Sequence, residues 1–289
     1  MIRIQAVGGL GNQLFIWNLA HFLEDLYNCK VYIYNYNTSD SKTKSEIQCL
    51  DDFCGHRIYV VASNKLNRFL VVIDKLANRS VLLQKLINTV FRIMHSKVPS
   101  EVFELGTRKP RIVRGYFQDP KFVESNSHLY IEELLECTRN IANSSEIFAQ
   151  IKNNSQVFHV RRGDFITNWE KVGLLTTDYF KSLINPKMKS IVFTDASIND
   201  LEVVKSFKDA QIIGSTIADT WTAFSLMSFS QNLILSNSTF SWWAGYLAVH
   251  RGGIVKAPTP WTRTSIYGEN YLEYSGFLKS PAKFLGDTL

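Results

Sequence analysis

Two arginines and an aspartate directly follow a strand-like run in the segment FHVRRGDF, residues 158–165. Successive side chains of an extended chain point to opposite sides, so we expect one of Arg161 and Arg162 to reach a ligand and the other to brace the structure. Arginine suits a diphosphate because its planar guanidinium bonds two oxygens at once and keeps its charge. Asp164 is a candidate general base, or a partner that holds an arginine in place. His159 fits either a ligand contact or a hydrogen-bonded position in the core.

A second polar cluster follows the strand-like run NLILS, residues 232–236. Asn237, Ser238, Thr239 and Ser241 stand where an apolar helix begins. An N-cap needs only one such side chain. Backbone amides and hydroxyls at a helix N-terminus bind anions, so the cluster predicts a second phosphate contact, with ordinary capping as the alternative.

The glycine-rich turn GGLGNQ, residues 8–13, separates a strand-like run from a helical pattern. Such a turn brings backbone amides close to an anion. The dinucleotide fingerprint needs a third glycine where this chain has Leu14, and the lysine of nucleotide triphosphatases is missing, so both of these classes are excluded. The candidate donor contacts in the turn are Gly9, Gly11, Asn12 and Gln13. A tight turn without a ligand is the alternative.

A third strand-like run, residues 190–194, ends at Asp195. Its carboxylate could accept two hydrogen bonds from a base with adjacent donors, as guanine has, or it could cap a helix. The sequence contains no Asp-x-Asp pair and no His/Cys cluster with zinc spacing. We therefore expect no metal, because arginine and helix amides can neutralise a leaving diphosphate instead.

The polar residues lie at the ends of strands that predict parallel sheets. The N-terminal strand, helix and strand over residues 2–34 form a βαβ unit, and the second half of the chain repeats strand-like runs up to residues 252–257. Ligands of open α/β sheets bind at the carboxyl ends of the strands. With 289 residues, the chain is long enough for two domains, which we place at 1–153 and 154–289 around a polar stretch.

The net charge of +6 is concentrated in residues 63–97, which carry seven lysines and arginines against one aspartate. This segment predicts two helices, with Ser80 as the N-cap of the second and Pro99 beyond its end. One interpretation is a helix pair with a solvated face. The other is a peripheral contact with anionic lipid on the inner membrane. No run of 18 apolar residues and no secretion signal are present, so we expect a cytoplasmic protein.

Taken together, the motifs resemble the bacterial α-1,2-fucosyltransferases of glycosyltransferase family 11. The segments that carry the resemblance run nearly end to end: GGLGNQLF at 8–15, RGYFQ at 114–118, HVRRGDF at 159–165, FTDAS at 193–197 and NSTFSWWAGYLA at 237–248. Their order and spacing are specific, whereas each one alone is not. Residues 37–100 carry little of the resemblance, and Gly245 is a small departure within the last motif.

The resemblance implies an α/β fold of the GT-B type, with two Rossmann-like domains whose parallel sheets face a cleft. It implies inverting, metal-independent transfer of L-fucose from GDP-L-fucose to the 2-hydroxyl of a terminal β-galactoside. The implied setting is the assembly of a glycan such as an O-antigen or a capsule. One of the two arginines of HVRRGDF would bind the β-phosphate, and His159 and Asp195 would approach guanine. The NSTF segment would contribute phosphate and donor contacts: Asn237, Ser238, Thr239 and Phe240. On the acceptor side, we expect Tyr116 and Gln118.

Two other classes of function stay open on the residues alone. A sugar-nucleotide-binding module without turnover would need the same motifs, and so would an inverting transferase that uses another GDP-sugar or makes another linkage. The pI of about 9.0 suggests nucleic-acid binding. That class is disfavoured because the excess charge lies in one helical segment and does not alternate with aromatic side chains.

Overall fold

The chain folds around two parallel β-sheets. The computed structural model describes residues 1–6, 8–35, 58–61, 80–91, 93–95, 109–152, 155–196, 202–207, 209–264, 268 and 271–287. Within these ranges the chain divides into two compact units, Met1–Leu134 and Leu135–Leu289.

The first unit is built on a five-stranded sheet. Its strands are β1 (Ile2–Ala6), β2 (Val31–Asn35), β3 (Ile58–Val61), β4 (Ile93–His95) and β5 (Ile112–Arg114), in the order β3-β2-β1-β5-β4. All of their pairings are parallel. The helices are α1 (Leu10–Tyr27), α2 (Val81–Phe91) and α3 (Pro120–Asn126), and α4 (Ile131–Asn143) runs into the second unit. Four of the five residues of β1 are buried, and α1 packs against this strand with every residue from Gln13 to Leu23 buried.

The second unit is built on a six-stranded parallel sheet. Its strands are β6 (Ser155–Val160), β7 (Lys189–Thr194), β8 (Gln211–Ile213), β9 (Asn232–Ile234), β10 (Ile254–Thr259) and β11 (Leu278–Pro281), in the order β11-β10-β9-β6-β7-β8. Its helices are α5 (Phe148–Lys152), α6 (Trp169–Val172), α7 (Thr177–Lys181), α8 (Glu202–Lys205), α9 (Thr220–Met227) and α10 (Thr239–His250). All six residues of β6 are buried, as expected for a central strand covered on both faces.

The expectation of an α/β chain with two parallel sheets is confirmed, and several details differ. Residues 252–257 were expected to form the last strand, but β11 follows and pairs with β10 in parallel. Ser80 caps α2 as predicted, because its Oγ accepts a bond from the Leu83 N–H at 3.1 Å. The helix expected to continue to residue 97 ends at Phe91. Ile93 is buried, and it starts a strand that pairs with β5. The predicted helix before Ser80 lies outside the described residues.

The two compact units divide earlier than the boundary that we placed after residue 153. That boundary separates the two sheets, since β6 begins at Ser155. The compact division falls inside α4, because the later turns of that helix bond to the second unit. Nη2 of Arg251 donates to the Leu135 carbonyl at 2.8 Å and to Oγ1 of Thr138 at 2.7 Å.

Candidate functional site

The candidate site lies where the strand order of the second sheet reverses. From β6 the chain continues outward to β7 and β8, and then returns to β9 on the other side of β6. Loops at such a switch point diverge from the carboxyl edge and leave a crevice for a ligand. The two segments that leave β6 and β9 are HVRRGDF and NSTFS, the polar motifs singled out from the sequence. Topology therefore brings together two segments that are almost eighty residues apart, as the bond between His159 and Ser236, the residue directly before NSTFS, shows.

Arg161 lies between two carboxylates. Its Nη1 is 2.7 Å from Oδ2 of Asp195, and its Nη2 is 2.6 Å from Oδ1 of Asp164. The Arg161 side chain is 33% exposed, and its guanidinium also lies 5.6 Å from the ring centre of Phe165. Arg162 differs, since it is only 4% exposed and its Nη1 donates to the Arg161 carbonyl at 3.2 Å. The alternation expected for the pair is thus present, with Arg161 as the accessible member.

Asp195 directly follows β7, and its carboxylate is bonded to the two residues that follow β6. Its Oδ1 accepts the backbone N–H of Arg162 at 2.6 Å, so both of its oxygens are bonded to the two arginines. Gly163 has φ of +27°, and a Cβ there would lie 2.5 Å from Oδ2 of Asp195. Any larger residue would meet the carboxylate that holds Arg161. The sequence indicated neither this packing of Gly163 nor the bonds of Asp195, because both depend on the alignment of β6 with β7.

His159 is a buried, uncharged histidine beside Arg161. Its Nδ1 is 2.7 Å from Oγ of Ser236, and its ring centre lies 5.3 Å from that of Phe240. Burial lowers the pKa of His159 to about 3, and the charge of Arg161 adds to this effect. The ring can therefore exchange hydrogen bonds with a ligand but supplies no positive charge near neutral pH. Ser236 was not predicted as a site residue. The sequence shows it only as a polar residue at the end of an apolar strand.

The NSTFS segment holds the start of α10 in several ways. Ser238 is the N-cap residue, yet its side chain makes no capping bond to the helix. The Ser241 hydroxyl donates to the Ser236 carbonyl at 2.9 Å. Asn237 is buried, and its Nδ2 lies 2.9 Å and 3.0 Å from the carbonyl oxygens of residues 172 and 173. Asn237 thus holds the C-terminal end of α6. Thr239, like Phe240, is half-buried in the first turn of the helix.

The first unit brings its own motifs together at a similar place. The strand order reverses between β1 and β5, which precede GGLGNQ and GYFQ respectively. Oδ1 of Asn12 accepts a bond from Nε2 of Gln118 at 2.6 Å. Tyr116 is 50% exposed beside this pair in sequence, whereas the residue after it, Phe117, is fully buried with φ of 53°.

The glycine turn is shorter than its sequence suggested. Helix α1 begins at Leu10 with Gly9 as its N-cap, so Gly11 lies in the first helical turn. Gln13 is buried, and its Nε2 donates to the Gly8 carbonyl at 2.8 Å. This bond closes the turn. A Cβ on Gly8 would overlap the Asn12 side chain, and an added Cβ on Gly9 would meet only open space.

The described ranges contain no cluster of three or more side chains that could hold a metal ion, counting histidine, cysteine, aspartate and glutamate. The helices in these ranges also include none that combines the length and the apolar character needed to cross a bilayer.

The family follows from comparison with known proteins. A model of Glycosyl transferase family 11 matches residues 1–272. The chain belongs to this family. The resemblance inferred from the motifs is thereby confirmed, and the chain is a family 11 glycosyltransferase.

Two curated relatives come from Escherichia coli. This family 11 chain is 26% identical to O-antigen biosynthesis glycosyltransferase WbnK over 285 residues, which cover 88% of this chain and 92% of the relative. It is 36% identical to an alpha-1,2-colitosyltransferase over 124 residues, which cover 37% of this chain and 41% of the relative. Among solved structures, fucosyltransferase NodZ from Bradyrhizobium aligns with a TM-score of 0.46 at 13% identity, over 85% of this chain and 93% of NodZ.

Proposed function

We propose that this family 11 glycosyltransferase moves L-fucose from GDP-L-fucose to the 2-hydroxyl of a terminal β-galactoside during O-antigen or capsule-like glycan assembly. The observation that carries the proposal is Arg161, an accessible cation at the switch point of the second sheet, beside the neutral His159 and the start of α10. The relative named for O-antigen biosynthesis supports the setting, and the relative named for α-1,2 transfer supports the linkage.

The proposed reaction is a single displacement with inversion. The acceptor oxygen forms a bond to the anomeric carbon, the bond from that carbon to the β-phosphate oxygen breaks, and its electron pair leaves with GDP. Arg161 and the N-terminal amides of α10 stabilise the charge that develops on the diphosphate. Asp164 receives the proton of the acceptor hydroxyl. We propose no metal in this reaction.

The guanosine end of the donor is assigned to the residues around His159. A neutral imidazole exchanges hydrogen bonds with a base without attracting the phosphates away from Arg161. The bonds between Asp195 and the two arginines favour a bracing role, so its contact with guanine stays a prediction. In the first unit, Tyr116 and Gln118 are proposed for the acceptor side, with Gln118 held by Asn12.

The donor sugar has a second candidate. The relative that is 36% identical is named for colitose, which is fucose without its 3-hydroxyl. A transferase for either sugar would need the same diphosphate contacts, so the arginine cluster does not separate them. A pocket that hydrogen-bonds the 3-hydroxyl would strongly disfavour colitose, because its polar groups would be left unpaired.

We expect purified protein to form a fucosylated product from GDP-L-fucose and a lactose-type acceptor in excess chelator. The product mass identifies the sugar transferred, and an α-1,2-specific fucosidase tests the linkage. GDP-L-colitose in a parallel reaction decides between the two donors by kcat/KM. Absence of product, with no stabilisation of the protein by GDP, would contradict the proposed function. Stabilisation without product would retain the donor site and place the error in the acceptor or the sugar.

We also propose a peripheral contact with anionic lipid through α2. Leu82, Leu86 and Val90 are 81%, 59% and 59% exposed, and their spacing of four places them along one helical face. Lys85 on the same helix is exposed, and the surrounding sequence carries the whole net charge of the chain. Apolar side chains flanked by cations fit an anionic bilayer surface, where a lipid-linked acceptor would be presented.

The three exposed apolar residues of α2 are called the apolar stripe below. Replacing all three with glutamine (L82Q, L86Q, V90Q) is expected to lower binding to anionic vesicles by about ten-fold or more, because less apolar surface enters the bilayer. Co-sedimentation with phosphatidylglycerol vesicles measures this. The matched control replaces three similarly exposed apolar residues of the second unit (I217Q, I254Q, L278Q) and should bind like the wild type. Binding that ignores anionic lipid and salt would contradict the lipid contact. A lowered oligomeric mass of the stripe variant would show instead that α2 joins two copies.

A further inference from the structure

The two carboxylates on Arg161 are held very differently. Asp195 is 31% exposed, and its second oxygen is fixed by the Arg162 N–H. Asp164 is 65% exposed. Among the described contacts, its carboxylate bonds only to Nη2 of Arg161, at 2.6 Å. Asp195 is thus fixed at the carboxyl end of the sheet, and Asp164 is a surface side chain.

The position of Asp195 is set by the pairing of β6 with β7. Val160 lies opposite Thr194 in this pairing, and the Thr194 hydroxyl donates to the Val160 carbonyl at 2.8 Å. Asp195 is the next residue along the chain, and Gly163 leaves room for its carboxylate. Moving Asp195 would therefore disturb the end of the central strand.

Asp164 can move its side chain without disturbing its backbone. Its carbonyl oxygen accepts bonds from Oγ1 of Thr167 and Nδ2 of Asn168, each at 2.9 Å. These bonds hold the short turn at residues 163–165 and do not involve the carboxylate. Exposed ion pairs contribute little net free energy, because water competes for both partners. A diphosphate carries more charge than a carboxylate and can displace it from a guanidinium.

We propose that Asp164 is a displaceable counter-ion of Arg161, and that the donor diphosphate takes its place on Nη2. The carboxylate so released becomes available to accept the proton of the acceptor hydroxyl as the sugar is transferred. Asp195 keeps Nη1 throughout, so it is a positioning residue. The acceptor can then be activated only when the diphosphate is bound, which ties the base to the presence of the donor. This inference rests on the proposed function for the identity of the diphosphate.

The sign of an affinity change tests the proposal. Asp164→Asn removes the competitor for Arg161, so GDP should bind about two- to five-fold more tightly than to the wild type, the size expected for an exposed ion pair. Its kcat should fall at the same time, because the amide cannot take the proton. Asp195→Asn should weaken GDP binding, because Arg161 loses its fixed partner. Isothermal titration with GDP measures both affinities, and guanosine, which has no phosphate, should show no gain with Asp164→Asn.

Each outcome separates this inference from the proposed function. GDP affinity that is unchanged or lower in Asp164→Asn, with wild-type binding intact, overturns the counter-ion role and leaves the donor assignment standing. Undiminished kcat in Asp164→Asn overturns the base role. Failure of the folded wild-type protein to bind GDP overturns the donor class itself, and the inference with it. Tighter GDP binding together with lower kcat supports the proposal. If Asp164 were merely structural, its replacement would lower both the GDP affinity and kcat.

Discussion

Replacing Arg161 with alanine is expected to lower the rate of sugar transfer by about two to three decades. The leaving diphosphate gains negative charge in the transition state, and Arg161 is an accessible cation at the switch point of the second sheet. His159 cannot take over this role, because burial keeps its pKa at about 3 and the ring uncharged. The loss should appear in kcat as well as in KM, since the interaction strengthens as the bond to the phosphate breaks.

The variants Arg162→Ala and Lys279→Ala separate catalysis from folding. Arg162 is almost fully buried, so its removal is expected to lower the melting temperature first. Lys279 is an exposed cation in edge strand β11 that pairs with Glu273 at 2.8 Å, and its loss should leave activity unchanged. Initial rates with GDP-L-fucose and thermal unfolding are measured on each protein. Near-full activity in Arg161→Ala, at an unchanged melting temperature, would show that the phosphate is held elsewhere.

The sequence predicted the strands that lie at the middle of each sheet. Strand β6 is a continuous buried run, and β7 lies beside it with an apolar centre, so both stand out from the polar segments around them. In the second sheet, strands β8 and β11 were missed. They lie at the two edges of the sheet, and β11 exposes three of its four residues, so no apolar run announces it.

The candidate site was predicted as a set of segments, and the contacts between them were not. Polar residues at the ends of parallel strands indicate a binding edge, and this principle selected Arg161 and His159. The bonds to Asp195 and Ser236 depend on which strands flank β6 and in which register. Such pairings join distant residues, and no local pattern encodes them. The role of Gly163 could be recognised only after Asp195 was placed beside it.

The first-unit motif shows a different limit of sequence reasoning. GGLGNQ was interpreted as a glycine-rich turn with polar contacts for a donor, or as a tight turn without a ligand. The structure instead begins α1 at Leu10 and turns the buried Gln13 amide back onto Gly8. A glutamine in a helical first turn can serve a ligand or its own backbone, and composition does not distinguish the two. Asn12, which faces Gln118, stays the more accessible candidate of the pair.

Acidification to pH 5 is expected to lower the free energy of unfolding through two buried histidines. Burial lowers the pKa of His21 to about 4 in the first unit, and it lowers that of His159 to about 3 in the second. An unfolded histidine titrates near 6.5. Below this pH the unfolded chain takes up protons that the folded chain does not, so stability is lost as pH falls from about 6.5 towards the folded pKa values. Each histidine should cost about 2 kcal/mol at pH 5 relative to neutral pH.

Single substitutions isolate each histidine from the carboxylates that also titrate in acid. His21→Phe keeps a ring against Trp17, whose centre lies 4.4 Å from that of His21, and His159→Gln keeps a polar partner for Ser236. Urea unfolding of each protein at pH 7 and pH 5 gives the change in free energy. Each variant should lose about 2 kcal/mol less than the wild type over this interval. An equal loss in all three proteins would mean that both histidines already bind protons in the folded chain, and the neutral ring on which the charge assignment to Arg161 depends would then be wrong.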